Sequence, residues 1–180
     1  MQEIIVAANE AGQRLDKMLA KYLNEAPKSF LYKMLRKKNI VLNGKKATGN
    51  EKLAVGDSVK LFLADETIAK FSNIHAVHTN VTLDIIYEDE NVLLINKPVG
   101  MLSQKAAADD ESLVEHIISY MLETRQLTEE ELRKFRPSVC NRLDRNTSGL
   151  VAAGKSLAGL QEMGTLFKNR SLRKYCRCLV

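Results

Sequence analysis

The chain has 180 residues, of which 45% are hydrophobic and 27% charged, with a formal net charge of +5. That is enough for one full domain or two small ones. No run of about 18 apolar residues occurs, and the start "MQEIIVAANEAG" lacks the basic beginning and apolar middle of a secretory signal, so neither a membrane span nor export is expected and the location is expected to be cytoplasmic.

Charge is unevenly placed. Residues 1–64 hold 12 Lys/Arg against 6 Asp/Glu, residues 65–130 hold 4 against 13, and residues 131–180 hold 11 against 3. Two basic blocks flank an acidic one, as they would in a protein that faces a polyanion.

"QRLDKMLAKYL" sets Leu15, Met18, Leu19, Tyr22 and Leu23 at helical spacing, with Lys17 and Lys21 on the other side. Pro27 and Ser29 interrupt that pattern. "KSFLYKMLRKK" then turns Phe30, Leu31, Met34 and Leu35 inward and leaves Lys28, Lys33, Arg36, Lys37 and Lys38 toward solvent. A short strand, "IVLNGKKAT", follows with an Asn43-Gly44 turn, and "KLAVGDSVKLFL" adds a turn at Gly56-Asp57 and an alternating strand.

In "RLDKML", the basic second helix, "VLNGKKA" and the spaced residues of "LAVGDSVKL", this segment resembles the S-four type of RNA-binding module. The resemblance implies that the basic helix and the loop after it lie on the phosphates of structured RNA. By position Lys28, Ser29, Lys33, Arg36, Lys37, Asn43 and Lys45 would make those contacts. Such cations add affinity through counterion release and carry little sequence information. A solvated lysine-rich face is the plainer alternative.

The expected domains are an RNA-binding domain over 1–64, a polar linker over 65–82 and a second domain over 83–180. Within the second, "DIIYED" reads as a strand, Asp89-Glu90-Asn91 as a turn, and "NVLLINKP" as an apolar strand stopped by Pro98. "LSQKAAADD" reads as a mobile loop. "ESLVEHIISYMLETRQ" is an amphipathic helix with Leu113, Ile117, Ile118 and Met121 inward and His116 at the boundary; "TEEELRKF" is a second, capped by Thr128. Neither G-x-G-x-x-G nor G-x-x-x-x-G-K occurs, which weighs against a nucleotide-dependent enzyme.

"NRLDRNTSG" joins the short strand "RPSVC" to the apolar strand "LVAAGKS", and catalytic side chains often sit on such loops. Asp144 stands between Arg142 and Arg145 in sequence. Positive neighbours favour the charged form of a carboxylate, and arginines bind phosphate bidentately. A nucleophile or base next to a bound nucleotide and a simple ion pair in a surface turn both fit that pattern.

"NRLDRNTSGLVAAGKS" resembles the central motif of the RluA-type pseudouridine synthases, and "EDENVLLINKPVGML" is similar to the motif that precedes it in that family. The family's common order also places an S-four module first. The resemblance implies an α+β fold: a small helical and hairpin RNA-binding domain, then the first part of a mixed, mainly antiparallel sheet with flanking helices. It further implies isomerisation of uridine to pseudouridine in structured RNA, ribosomal RNA foremost, without cofactor or metal. Asp144 matches the catalytic aspartate, which either attacks the ribose or assists formation of a glycal, and Arg142 the arginine that helps evict the target base and pairs with the aspartate.

Two residues depart from the pattern: Asn141 replaces the usual His, and Cys176 falls where "SLRKYCRCLV" should carry an active-site tyrosine. The family's catalytic domain also continues beyond that third motif, so the chain is expected to be its amino-terminal part. An RNA-binding protein with an incomplete, inactive catalytic domain is therefore the alternative function. Cys140, Cys176 and Cys178 suggest neither a disulfide framework nor a metal site, since other ligands are not at suitable spacing.

Overall fold

A computed structural model describes residues 1–72, 79–107 and 109–178. The chain divides into two compact units, Met1–Val77 with Met121–Arg136, and His78–Tyr120 with Pro137–Val180. His75, His78 and the last two residues of the closing "CLV" lie outside the described residues.

The first unit contains β1 (Gln2–Ile5), α1 (Leu15–Tyr22), α2 (Lys28–Arg36), β2 (Ile40–Leu42), β3 (Lys45–Lys46), β4 (Ser58–Leu61), α3 (Asp65–Phe71) and α5 (Glu129–Lys134). Its four strands form an antiparallel sheet in the order β1-β4-β2-β3. Helices α1 and α2 occupy the segments expected of them. Leu15, Met18, Leu19 and Tyr22 are buried on α1, and Leu31, Met34 and Leu35 on α2. Each fully buried large apolar side chain contributes about 1.5–3 kcal/mol. The β2–β3 turn is Asn43-Gly44, both at positive φ.

Two parts of this unit differ from the expectation. Strand β1 was hidden in "MQEII", where only Ile4 turns fully inward, so alternation is too short to read. Residues 65–71, placed in the linker, form a helix, because Ile68 is buried in the core shared with α1 and β4. Helix α5 begins with the expected cap. The Thr128 hydroxyl accepts from the Glu131 backbone while the Glu131 carboxylate accepts from Thr128 N–H at 2.8 Å, a capping box.

The loop before β4 carries its own anchor. Glu51 accepts from Thr48 N–H (2.8 Å), the Thr48 hydroxyl (2.9 Å) and Gly49 N–H (2.8 Å). Burial acts against ionisation, but these bonds outweigh it and hold the carboxyl at about 2. A folded value below the unfolded one gives stability that is present above the unfolded pKa, about 4.3, and is lost as pH falls toward the folded value. Glu51→Gln should therefore lower the thermal midpoint at neutral pH. Its deficit relative to the parent should shrink between about pH 4.5 and pH 2 in a series of melting curves.

The second unit is built on β5 (Ile85–Glu88), β6 (Val92–Lys97), β7 (Ser138–Val139) and β8 (Gly149–Gly154), ordered β5-β6-β8-β7. All named pairs are antiparallel, and the one parallel contact among the described residues is an isolated bridge between Leu102 and Ser112. The sheet expected to be mixed but mainly antiparallel is antiparallel in all its named strand pairs. Strand β6 lies between β5 and β8, and Leu93, Ile95 and Lys97 are buried on one of its faces while Asn96 on the other is exposed. Helix α4 (Leu113–Glu123) buries Leu113, Ile117, Ile118 and Met121 as its periodicity predicts. His116, expected at the boundary, is 4% exposed, and burial pulls its pKa below the usual histidine range. The loop expected to be mobile is tied by Asp110, whose carboxylate accepts from the N–H groups of Ala106 and Ala107.

Helix α6 (Leu157–Lys168) packs against β8 at Gly154 and against the β5–β6 turn at Gly159, and neither glycine has room for a side chain. A Cβ on Gly159 would stand 2.1 Å from the Asn91 carbonyl oxygen, and one on Gly154 would stand 2.5 Å from Leu160. At an open helical site alanine is favoured over glycine by about 1 kcal/mol. Gly164, with nothing within 4 Å, is such a site. Gly164→Ala should therefore raise stability slightly, whereas Gly159→Ala should cost about 1–3 kcal/mol by overpacking. Urea denaturation of both variants checks the opposite signs.

Candidate active site

Strands β7 and β8 carry the two ends of the loop that holds Asp144, and their pairing sets its position. The ladder runs Ser138 with Gly154 and Val139 with Ala153, and Cys140 N–H continues it to Ala152 O at 2.7 Å. Asn141 then extends it with its side chain. Its Nδ2 donates to Leu150 O at 3.2 Å and its Oδ1 accepts from Ala152 N–H at 2.8 Å. The amide thus fixes the loop by hydrogen bonds, as expected for the residue standing in the usual histidine's place. Past it the chain turns, with Thr147 N–H donating to Asp144 O at 3.0 Å.

The arginines do not pair with the aspartate as their sequence positions suggested. Among the described residues no ion pair or hydrogen bond joins the Asp144 carboxylate to Arg142 or Arg145. Consecutive residues of this turn project apart, and Arg145 is engaged elsewhere. Its Nε donates to Gly100 O at 3.1 Å, and Gly100 N–H donates to Arg145 O at 2.8 Å. Arg142 and Asp144 are both exposed, and no partner engages the Arg142 guanidinium among the described residues. An ordinary surface ion pair is therefore absent here, while a carboxylate and a guanidinium open to a bound molecule are present.

Lys97, which was not among the expected site residues, lies within electrostatic reach of Asp144. It ends β6 fully buried, and its Nζ donates to Pro98 O and Met101 O, each at 2.9 Å. Burial pushes the ammonium below the ordinary lysine range, and the negative charge of Asp144 acts the other way. A lysine closing an otherwise apolar strand in "NVLLINKP" was the available signal. Gly100, at φ +89, makes the bend after it in a region that side-chain-bearing residues avoid. A cavity of about 310 Å³ opens beside this bend, with Lys97, Pro98, Met101, Asp84 and Ser148 among its lining residues. Ser148 belongs to the same loop as Asp144.

At the third motif, Tyr175 is 84% exposed and Cys176 and Cys178 are exposed. No strand forms over 171–178. Lys174 instead reaches over the Phe167 ring, 5.4 Å from its centroid.

On the first unit, Lys28, Ser29, Lys33, Arg36, Lys37, Asn43 and Lys45 are all exposed. Ser29, Lys33, Arg36 and Lys37 follow one another at helical spacing on the side of α2 opposite Leu31, Met34 and Leu35. Lys45 stands on β3. Asn43 differs from the rest because its amide serves the hairpin. Nδ2 donates to Asp57 at 2.8 Å and Oδ1 accepts from Ser58 N–H at 2.8 Å.

The family described as RNA pseudouridylate synthase matches residues 91–180. A ribosomal large subunit pseudouridine synthase C of Vibrio vulnificus is 29% identical over all of this chain and 55% of its own length. An uncharacterized RNA pseudouridine synthase of Mycoplasma genitalium is 30% identical over 99% of this chain and 55% of its own. The chain thus spans about half the length of the curated relatives it matches. A human protein of known structure, RNA pseudouridylate synthase domain containing 4, overlaps 48% of this chain and 30% of its own, at 24% identity and a TM-score of 0.36.

Proposed function

Because the chain belongs to the RNA pseudouridylate synthase family, we propose that it isomerises uridine to pseudouridine in structured RNA, with the RNA of the large ribosomal subunit as substrate. The observation that carries this reading is the loop between β7 and β8. It presents Asp144 and Arg142 to solvent on a loop anchored by its neighbours.

In this reaction the uracil leaves its ribose, rotates and rejoins through carbon five. No atom is gained or lost, so the protein need only detach, hold and return the base. Asp144 acts at the ribose, and Arg142 helps evict the target base. Taking a base out of its stack costs a few kcal/mol, which contacts with the rest of the RNA offset. Lys28, Ser29, Lys33, Arg36, Lys37 and Lys45 of the S-four-like domain supply phosphate contacts of that kind; Asn43 holds their hairpin in shape. The domain division that goes with this role is an RNA-binding domain over 1–64 and a catalytic domain from residue 83, in the cytoplasm.

The test is to incubate the 180-residue polypeptide with ribosomal RNA and map pseudouridine, beside a form extended to the length of its relatives with Cys176→Tyr. Product from the 180-residue chain supports the enzyme. Binding without product from either form supports an RNA-binding protein with an inactive catalytic domain.

A further inference from the structure

Between Arg142 and Asp144 lies Leu143, whose backbone is held by a residue forty positions earlier. The Ser103 hydroxyl donates to Leu143 O at 2.7 Å and accepts from Leu143 N–H at 3.1 Å. No other hydrogen bond reaches either group among the described residues. Ser103 is 4% exposed, and both bonds are part-buried. On the other side of Asp144, Arg145 makes its reciprocal pair with Gly100. The loop after β6 therefore grips the chain immediately before and immediately after the aspartate. Lys97 stiffens that loop from beneath through Pro98 O and Met101 O.

We propose that Ser103 is a positioning residue for the isomerisation: its hydroxyl, bonded to both backbone groups of Leu143, sets where the Asp144 carboxylate meets the ribose. The inference rests on the reading of Asp144 as the catalytic carboxylate. Its physical basis is that a loop between two strands has no ladder of its own, so the N–H and C=O of Leu143 need partners from elsewhere. Without the hydroxyl those two groups are left unpaired in a part-buried place, and the loop gains by turning them toward water. Asp144, one peptide away, moves with them. A displacement of about 1 Å at a reacting group can cost on the order of 10²-fold in rate.

The experiment compares the parent chain, Ser103→Ala, Ser103→Thr and Asp144→Asn in pseudouridine formation on ribosomal RNA, together with amide hydrogen exchange of each. Ser103→Ala should lower kcat about 10²-fold with KM for the RNA unchanged, and should speed exchange at Leu143 about tenfold or more while the β6 and β8 amides keep their protection. Ser103→Thr retains the hydroxyl and should recover most of the rate. A Ser103→Ala enzyme with parental kcat overturns the proposal, as does a rate loss accompanied by lost protection throughout β6 and β8, which is plain unfolding. Absence of product from both the parent and its extended form, or an active Asp144→Asn variant, instead overturns the catalytic reading on which the proposal depends; where only the extended form is active, the variants are compared in that form.

Discussion

Asp144→Asn is expected to abolish pseudouridine formation while leaving RNA affinity nearly intact. The change keeps the size of the side chain and removes its charge and its ability to attack or to take a proton. Loss of such a group costs on the order of 10²–10⁴-fold or more. Because Asp144 is exposed and pairs with neither Arg142 nor Arg145, the substitution strands no buried arginine. Loop geometry should survive, since its bonds come from Asn141, Ser103, Gly100 and the Asp144 backbone carbonyl. One electrostatic consequence remains: Lys97 loses the negative charge that offsets its burial. Pseudouridine mapping, RNA titration and a melting curve separate the possibilities. A variant that fails to fold would give Asp144 a structural role instead.

Replacing Lys33, Arg36 and Lys37 together by alanine should weaken RNA binding by a similar factor whatever the RNA sequence. Each lost phosphate contact should reduce the dependence of log affinity on log salt by about one, so the slope should flatten by about three. The fold should tolerate the triple change. All three side chains are exposed, the buried face of α2 is Leu31, Met34 and Leu35, and alanine is a good helix former. Filter binding from low to moderate salt measures the slope directly. An unchanged slope would mean that the RNA docks elsewhere and that these cations form an ordinary solvated face.

Helical periodicity was the most legible feature. The apolar faces of α1, α2 and α4 were read correctly because each has four or so large residues at a repeat that no strand could bury on one side. The Asn43-Gly44 turn and the Thr128 cap were equally plain, because each is a local rule satisfied by neighbouring residues. Strand β1 and helix α3 were not legible. With four and seven residues, each places a single fully buried side chain, Ile4 and Ile68, and a pattern of one has no period. Lys97 was half legible: its position in the strand was visible, but not that it would be the cation beside the aspartate.

What the sequence determined by itself, then, is the family, helices α1, α2, α4 and α5, the turns and the loop on which Asp144 stands, since motifs and periodicity need only near neighbours; α6, like α3, was not among its readings. What only the tertiary structure decided is which groups surround that aspartate. Arg142 and Arg145, adjacent in sequence, do not pair with it. Ser103, forty residues from Leu143 in sequence, is the group that holds the neighbour of that aspartate, and Lys97 lies within reach of its charge. The reason is geometric: successive side chains in a turn diverge, and pairing β6 with β8 brings the loop after one strand against the loop before the other. Proximity along the chain suggested arginine partners that Asp144 does not have, and the antiparallel ladder brought Ser103 and Gly100 to the residues on either side of it.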